Sequence, residues 1–356
     1  MTETYSCEVF LSGYASATFE LNMVISKTPW RISFFGGGTD LPAWYREHGG
    51  AVLSTTIDKY GYITCRFLPP FFEHKNLVVW SHIEKTKSVD EILHPSVRET
   101  LKFLNFHDGL GIHFDGDLPA RTGLGSSSSF TVGLLNALYA LRGQETTKKQ
   151  LALDAIHIEQ NLIRENVGSQ DQVAAAFGGL NRITFDKSGE IDVTPIPIKP
   201  ERLEELQNHL MLVFTGLLRS ASSVEGEKIQ NMSQRVREFT AMHEMVGEAF
   251  GILTDERDRL HDFGKLLHEM WQLKRTLASS VANDHIDGIY EEARQTGAIG
   301  GKLLGAGGGG FMLLFAPPEV QPKIRERLKG LMQVPFRFES QGSHIIHQTP
   351  HSPYLV

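Results

Sequence analysis

The run Arg121-Thr122-Gly123-Leu124-Gly125-Ser126-Ser127-Ser128-Ser129 limits this chain more than any other segment. It lies between a strand-like stretch, Gly111–Asp115, and one whose apolar residues Phe130, Leu134, Leu135, Leu138 and Leu141 recur at helical spacing. A strand that turns through glycines into a helix leaves the first helical N–H groups unmet, with the positive end of the dipole behind them. Gly123 and Gly125 can take positive φ and leave room beside the backbone. The serines add hydroxyl donors, one of which can ligate Mg2+. Such an entry binds phosphate. Candidate phosphate-holding residues are therefore Gly123, Leu124, Gly125, Ser126, Ser127 and Ser128. The pattern is neither GxxxxGK[ST], since no lysine follows the second glycine, nor GxGxxG. Taken alone it reads equally well as a turn and cap, but four consecutive serines are poor formers of strand and helix and need a reason.

Composition sets the frame around this loop. With 356 residues, 41% hydrophobic and 22% charged, the chain can bury the core of two packed domains. A net charge of −7 argues against a nucleic-acid binder. Cys7 and Cys65 have no CxxC or zinc-ligand spacing, which excludes a disulfide framework and fits a reducing compartment. No apolar run reaches the ~18–20 residues that span a membrane. The N-terminus lacks the basic-then-apolar order of a secretory signal. A cytoplasmic location without nucleic-acid or membrane partners is the expectation.

Residues 1–22 are polar and small, without a clear period. They are expected as an N-terminal extension that need not be ordered, with Met23 as the functional start; a strand added to the first sheet is the alternative. The rest divides by element content into 23–200 and 201–356. Strands are expected from Met23, over Arg31–Phe35, Ala51–Ile57, Tyr60–Phe67 and Leu77–Ser81, with a hairpin at Leu180–Phe185 and Glu190–Ile196. A helix is expected over Lys148–Glu165, and another opens at Ser169. Leu210–Phe214 and Phe311–Phe315 read as strands, with long charged helices between them and a helix over Pro322–Leu331. Strands first and mixed helices later imply an α+β class.

Two carboxylates follow the loop. Glu159 lies inside the Lys148–Glu165 helix, and Asp171 stands at N2 of the next, with Ser169 and Gln172 spaced as a capping box. The helix start favours ionised Asp171, and a carboxylate beside a phosphate site can take or orient the proton of an attacking hydroxyl. Glu159 can hold Mg2+ through its oxygens. Plain helix stabilisation and a solvated surface residue remain the alternatives. In Pro29–Asp40, a strand ends in Gly36-Gly37-Gly38 followed by Thr39 and Asp40. Asp40 can accept hydroxyl hydrogen bonds from a sugar or cap a short helix at Pro42–His48. Arg31, charged among bulky apolar neighbours, calls for a carboxylate or phosphate partner.

In order and spacing, these segments resemble the GHMP kinases from about residue 24 to 340. Leu118–Ser127 looks like the family's phosphate-binding motif, Gly168–Gln172 resembles the segment with the catalytic aspartate, and Lys302–Gly310 is similar to the third, glycine-loop motif. The resemblance implies a two-domain α+β fold, with an N-terminal ribosomal-protein-S5-like α/β domain and a C-terminal ferredoxin-like α+β domain. It further implies ATP as phosphate donor, Mg2+ held by Ser127 and Glu159, Asp171 as base and Arg31 beside the transferred phosphoryl. Gly37, Gly38, Thr39, Asp40, Gly307 and Gly308 would line the acceptor. Ser128-Ser129 departs from the family's usual Ala-Ala and leaves the choice of Mg2+ serine open. Within the family, Arg31–Pro42, Gly49–Leu53 and Ile57–Tyr60 look like the D-glycero-D-manno-heptose 7-phosphate kinases, which phosphorylate the anomeric hydroxyl. Thr215–Ser222 resembles their second-domain loop, with Arg219 a candidate phosphate ligand beside the unranked cations Lys59, Arg66, Lys85 and Lys87. Gly37-Gly38 stand where galactokinase-like enzymes usually carry Glu-His, which argues against galactose. A kinase for another sugar, and a silent sugar or ATP sensor, are the other readings. A homodimer is compatible with the sequence, which does not fix the oligomeric state.

Overall fold

Pro29 explains why the sequence reads as two strands where the protein has one. In the computed structural model, β1 runs unbroken over Met23–Phe35. Its partner β2 covers Gly50–Phe67, across the short helix α1 (Pro42–His48). Proline has no N–H to give the ladder, and the pairing slips between Pro29 and Trp30, from Tyr60 to Ile57. Both strands continue through this bulge. The structure describes residues 22–349 apart from positions 70, 108, 219, 220, 256 and 258. Residues 1–21 of the expected extension, and Arg219, therefore lie outside the described residues.

The chain continues through β3 (Asn76–Val79), β4 (Ile83–Thr86), α2 (Pro95–Phe103), β5 (Leu110–Gly116) and α3 (Ser126–Leu141). Then come α4 (Lys148–Ile156), α5 (Gln170–Phe177), β6 (Leu180–Phe185) and β7 (Ile191–Pro195). β2 is the hub of this sheet. It pairs antiparallel with β1 along one edge and with β5 and β6 along the other, while β3 joins β5 in parallel. The helix expected over Lys148–Glu165 is interrupted: after Ile156 the backbone widens into a π-helical turn, His157–Ile163, closed by Arg164 at φ 64°. Single π turns of this kind gather at functional sites, and this one carries Glu159.

In the second half α6 (Pro200–Asn208), β8 (Leu210–Phe214), α7 (Ala221–Asn231), α8 (Val236–Thr254), α9 (Leu260–Thr276) and α10 (Asp284–Gln295) precede β9 (Gly300–Leu303) and β10 (Phe311–Phe315). β10 lies between β8 and β9 in a three-stranded antiparallel sheet. The helix expected to reach Leu331 is shorter, α11 (Gln321–Arg327). The chain does not divide cleanly at 200. β11 (Phe338–Glu339) pairs with β2 and β12 (His344–Gln348) with β1, so the C-terminal end closes the first sheet. One apolar core then joins the halves: Ile32 and Phe34 of β1 pack with Phe239 and Val246 of α8, Phe263 of α9 and Phe315 of β10. Arg31 points from this strand where both sheet faces are covered. The architecture is α+β.

Candidate active site

Gly125 takes φ 72° to turn the chain into α3, and no side chain caps that helix. The first helical bond is the Ser129 amide to the Gly125 carbonyl, 2.9 Å. Three amides at the start of α3 therefore have no partner inside the helix, as the loop's sequence demands for an anion site. Ser127 is exposed, whereas Ser126, Ser128 and Ser129 are buried.

Arg31 and Asp171 meet beside this turn. The Arg31 Nε and Nη2 groups donate to the two Asp171 carboxylate oxygens, each at 2.7 Å, and Nη1 donates to the Gly123 carbonyl at 2.6 Å. The pair is thus seated on the glycine-serine loop itself. Arg31 is almost fully buried while a quarter of the Asp171 side chain stays exposed, so the carboxylate is the reachable member. A Cβ on Gly125 would lie 3.2 Å from Asp171 Oδ2, which shows how closely the loop passes.

The expected capping box does not form. Ser169 Oγ accepts from Gln160 Nε2 at 3.1 Å, and Gln172 turns its amide to Glu159. Asp40 serves the start of α5 instead: its carbonyl accepts from the Ser169 amide at 3.0 Å and its carboxylate from Gln170 N at 3.3 Å. The carboxylate also accepts from Gly38 N at 2.8 Å, whereas α1 has no side-chain cap at all. Gly168 permits this, since a Cβ there would fall 1.8 Å from Asp40 Oδ2. Burial, reinforced by the charge of Asp171, pushes the Asp40 carboxyl up to about 6. Thr39 is fully buried and its hydroxyl shares its one proton between the Gly36 and Ala51 carbonyls, so it shapes the loop from within.

Glu159 is brought to Ser128, not Ser127. Its Oε2 accepts from Ser128 Oγ at 2.7 Å and from Gln172 Nε2 at 2.5 Å, while Oε1 is buried without a partner. Burial pushes this carboxyl up to about 7. A hard cation suits an orphaned carboxylate oxygen among hydroxyls, and would favour the charged form. Among the described residues no three His, Cys, Asp or Glu side chains gather as a metal cluster, so other ligands must come from serine hydroxyls, solvent or a nucleotide.

The unfolded chain loses the Glu159 proton near the ordinary 4.5, but the folded protein holds it to about 7. The contribution of this group is intact below pH 4.5 and is lost as pH rises through 7. Metal-free Glu159→Gln should therefore melt higher than the parent at pH 8 and gain little at pH 4.5. It should also need about 10-fold or more Mg2+ for half-maximal turnover. Equal melting shifts at both pH values would rule out the buried charge as the cause.

The second glycine loop closes on the first, backbone to backbone. A Cβ on Gly123 would meet the Leu304 carbonyl at 2.6 Å, one on Gly305 the Gly123 Cα at 2.5 Å, and one on Gly310 the Thr122 carbonyl at 2.2 Å. The Phe311 amide also donates to that Thr122 carbonyl at 3.1 Å. Gly307 and Gly308, expected at the acceptor, pack on Val281, to whose carbonyl the Gly308 amide donates at 2.8 Å. Gly38 faces the Phe239 ring, and Gly37 lies near Ser33 and Gln170.

Three buried lysines lie outside the residues that the sequence marks as site candidates. Lys302 donates to the Phe34 carbonyl at 2.8 Å, and Lys274 to the Leu303 and Gly305 carbonyls at 2.7 and 2.5 Å. Lys228 pairs with Glu225 at 3.0 Å. The available signal was a lysine at 302 inside a buried strand, the same oddity that marked Arg31. Of the surface cations considered, Lys59 pairs with Asp58.

Comparison with known proteins places this geometry. Residues 92–179 match the GHMP kinases N terminal domain, and residues 252–333 the GHMP kinases C terminal domain. The D-glycero-alpha-D-manno-heptose 7-phosphate kinase of Campylobacter jejuni is 30% identical over 343 residues, 90% of this chain and 98% of that protein. The bifunctional fucokinase/GDP-fucose pyrophosphorylase of Arabidopsis thaliana is 28% identical over 85% of this chain, which spans only 30% of that protein. A crystal structure of a D-glycero-D-manno-heptose 1-phosphate kinase from Bacteroides thetaiotaomicron superposes with a TM-score of 0.75 at 22% identity, covering 91% of this chain and 99% of that one, and shares its fold.

Proposed function

The chain belongs to the GHMP kinases, phosphotransferases with a hydroxyl acceptor, and we propose that it phosphorylates the anomeric hydroxyl of D-glycero-D-manno-heptose 7-phosphate from ATP. The observation that carries the site assignment is the Arg31–Asp171 pair seated on Gly123 beside the uncapped start of α3. Phosphoryl transfer asks mainly for positioning and neutralised charge. The amides opening α3 hold the ATP phosphates. Asp171, held in place by both Arg31 donors, orients the acceptor hydroxyl and takes its proton as the bond to phosphorus forms and the bond to ADP breaks. Arg31 offsets the negative charge spread over the transferred group. Asp40 grips hydroxyls of the acceptor and fixes which one faces Asp171. Glu159, with Ser127 or Ser128, would hold Mg2+, which supplies charge neutralisation on the phosphates. The product is the 1,7-bisphosphate, a precursor for nucleotide-activated heptose.

Similarity to the Campylobacter jejuni enzyme supports the heptose reading; that to the fucokinase of Arabidopsis thaliana supports fucose as the second. The test is ADP release with Mg·ATP and heptose 7-phosphate, free heptose, fucose or galactose. Heptose 7-phosphate is expected to give a kcat/KM at least ~10-fold above the others, the discrimination one charge-assisted contact supplies. A better turnover on fucose would replace the heptose reading with the second.

A further inference from the structure

An ammonium buried without a counter-charge is costly unless something arrives to meet it. Lys228, Lys274 and Lys302 are each at most 5% exposed, on α7, α9 and β9. Only Lys228 has a carboxylate within ion-pair distance among the described residues, and Lys274 and Lys302 hold backbone carbonyls alone. Among the described residues Lys302 and Lys228 each use one N–H donor of three. The lysines crowd each other: burial and then the charges of Arg31 and Lys228 push Lys302 down to about 7, with Asp40 acting against them. Burial, Lys228, Lys302 and Arg31 lower Lys274 well below its ordinary value, with Glu225 acting against them.

Their position is on the acceptor side. Lys302 Nζ rests on the carbonyl of Phe34, where β1 enters the Gly36–Asp40 loop. α7 covers the segment before Gly168, with a Cβ on Gly226 falling 3.2 Å from the Asn166 amide nitrogen. The ATP phosphates already have the start of α3. A pocket for a neutral sugar needs Asp40 for hydroxyls and gains nothing from three crowded ammoniums.

We propose that Lys228, Lys274 and Lys302 form an anion socket at the acceptor end of the site, which takes the phosphate ester of a phosphorylated sugar. This rests on the proposed kinase reading and adds the residues that would hold the acceptor's own phosphate. A phosphate dianion offsets the repulsion and favours the charged form of Lys302, so its binding takes up protons.

The experiment measures kcat/KM of the parent, Lys302→Met and Lys228→Met on heptose 7-phosphate and on the same heptose without phosphate. Each substitution is expected to cut the preference for the phosphorylated sugar by about 10-fold or more, through its KM, the loss typical of a charge-assisted bond. The KM for ATP should stay within roughly twofold, against which the phosphate-specific loss stands out. Equal losses on both acceptors overturn the socket and leave the heptose kinase standing. If the parent prefers another phosphorylated sugar, such as a hexose 6-phosphate, and the variants lose that preference, the socket stands and heptose falls. A parent that prefers unphosphorylated sugars overturns both. Should the variants fold poorly, calorimetric titration of the parent with the preferred sugar phosphate decides. In two buffers of different ionisation enthalpy at pH 8, net proton uptake is expected, and its absence overturns the socket.

Discussion

Asp171→Asn should lower kcat by about 10²-fold or more, the range for loss of a positioned base, while ATP binding stays within a fewfold of the parent. The amide keeps the size of the carboxylate but cannot take a proton, and it turns one N–H toward the Arg31 donors that now sit 2.7 Å away. Arg31 retains its bond to the Gly123 carbonyl, so the phosphate loop keeps its anchor and nucleotide affinity is spared. Asp171→Glu separates the two functions of the residue. It preserves the charge beside Arg31 but displaces the carboxylate by one methylene, and turnover should again fall because geometry sets proton transfer. Near-normal kcat in Asp171→Asn, with a native melting temperature, would remove Asp171 from the chemistry.

Most elements that frame this site are legible in the sequence because local rules fix them. The β8 and β10 strands are short apolar runs and appear with the bounds read from composition, Leu210–Phe214 and Phe311–Phe315. α3 begins within one residue of where periodicity puts it. The long strands β1 and β2 are less legible, since a proline bulge looks like an end when the partner strand is not in view. The return of β11 and β12 to the first sheet is a pairing at a sequence distance of some hundreds of residues. Alternation along His344–Gln348 cannot say which edge the strand will find.

The site divides in the same way. Residue type suffices to call for a carboxylate or phosphate partner at Arg31, because a buried guanidinium needs a counter-charge, and folding supplies Asp171. Residue type and spacing do not suffice for Ser169, Gln172 and Asp40. A capping box satisfies local rules, but Glu159 is a buried acceptor that outbids the backbone for the Gln172 amide, and Asp40, 130 residues away, caps α5 in its place. Neighbouring serines are equivalent in sequence, whereas the π-helical turn aims Glu159 at Ser128. Lys228 and Lys274 read as ordinary charges on helices, and their burial comes only from tertiary packing, which for Lys274 sets Nζ on the Leu303 and Gly305 carbonyls.

Gly123→Ala should reduce kcat/KM for ATP by about 10²-fold or more, a loss of several kcal/mol in holding the nucleotide, and lower the melting temperature by several degrees. Two independent costs meet at this residue. Its φ of 82° belongs to the left-handed region, which a side chain makes unfavourable by roughly 1 kcal/mol or more. The larger cost is steric: the new Cβ would stand 2.6 Å from the Leu304 carbonyl oxygen and 3.2 Å from the Gly305 amide nitrogen, both backbone atoms that cannot swing aside. Lys274 holds the Leu303 and Gly305 carbonyls on the far side, so the second loop cannot retreat alone. The first loop must move instead, carrying with it the Gly123 carbonyl on which Arg31 rests and the amides at the start of α3. Gly189→Ala is the control, because Gly189 has a positive φ of 94° but nothing within 4 Å of its Cβ position. That variant carries the backbone cost without the collision, and should lose a little stability and no ATP affinity. If both alanines behave alike, the contact between the two glycine loops has no part in nucleotide binding.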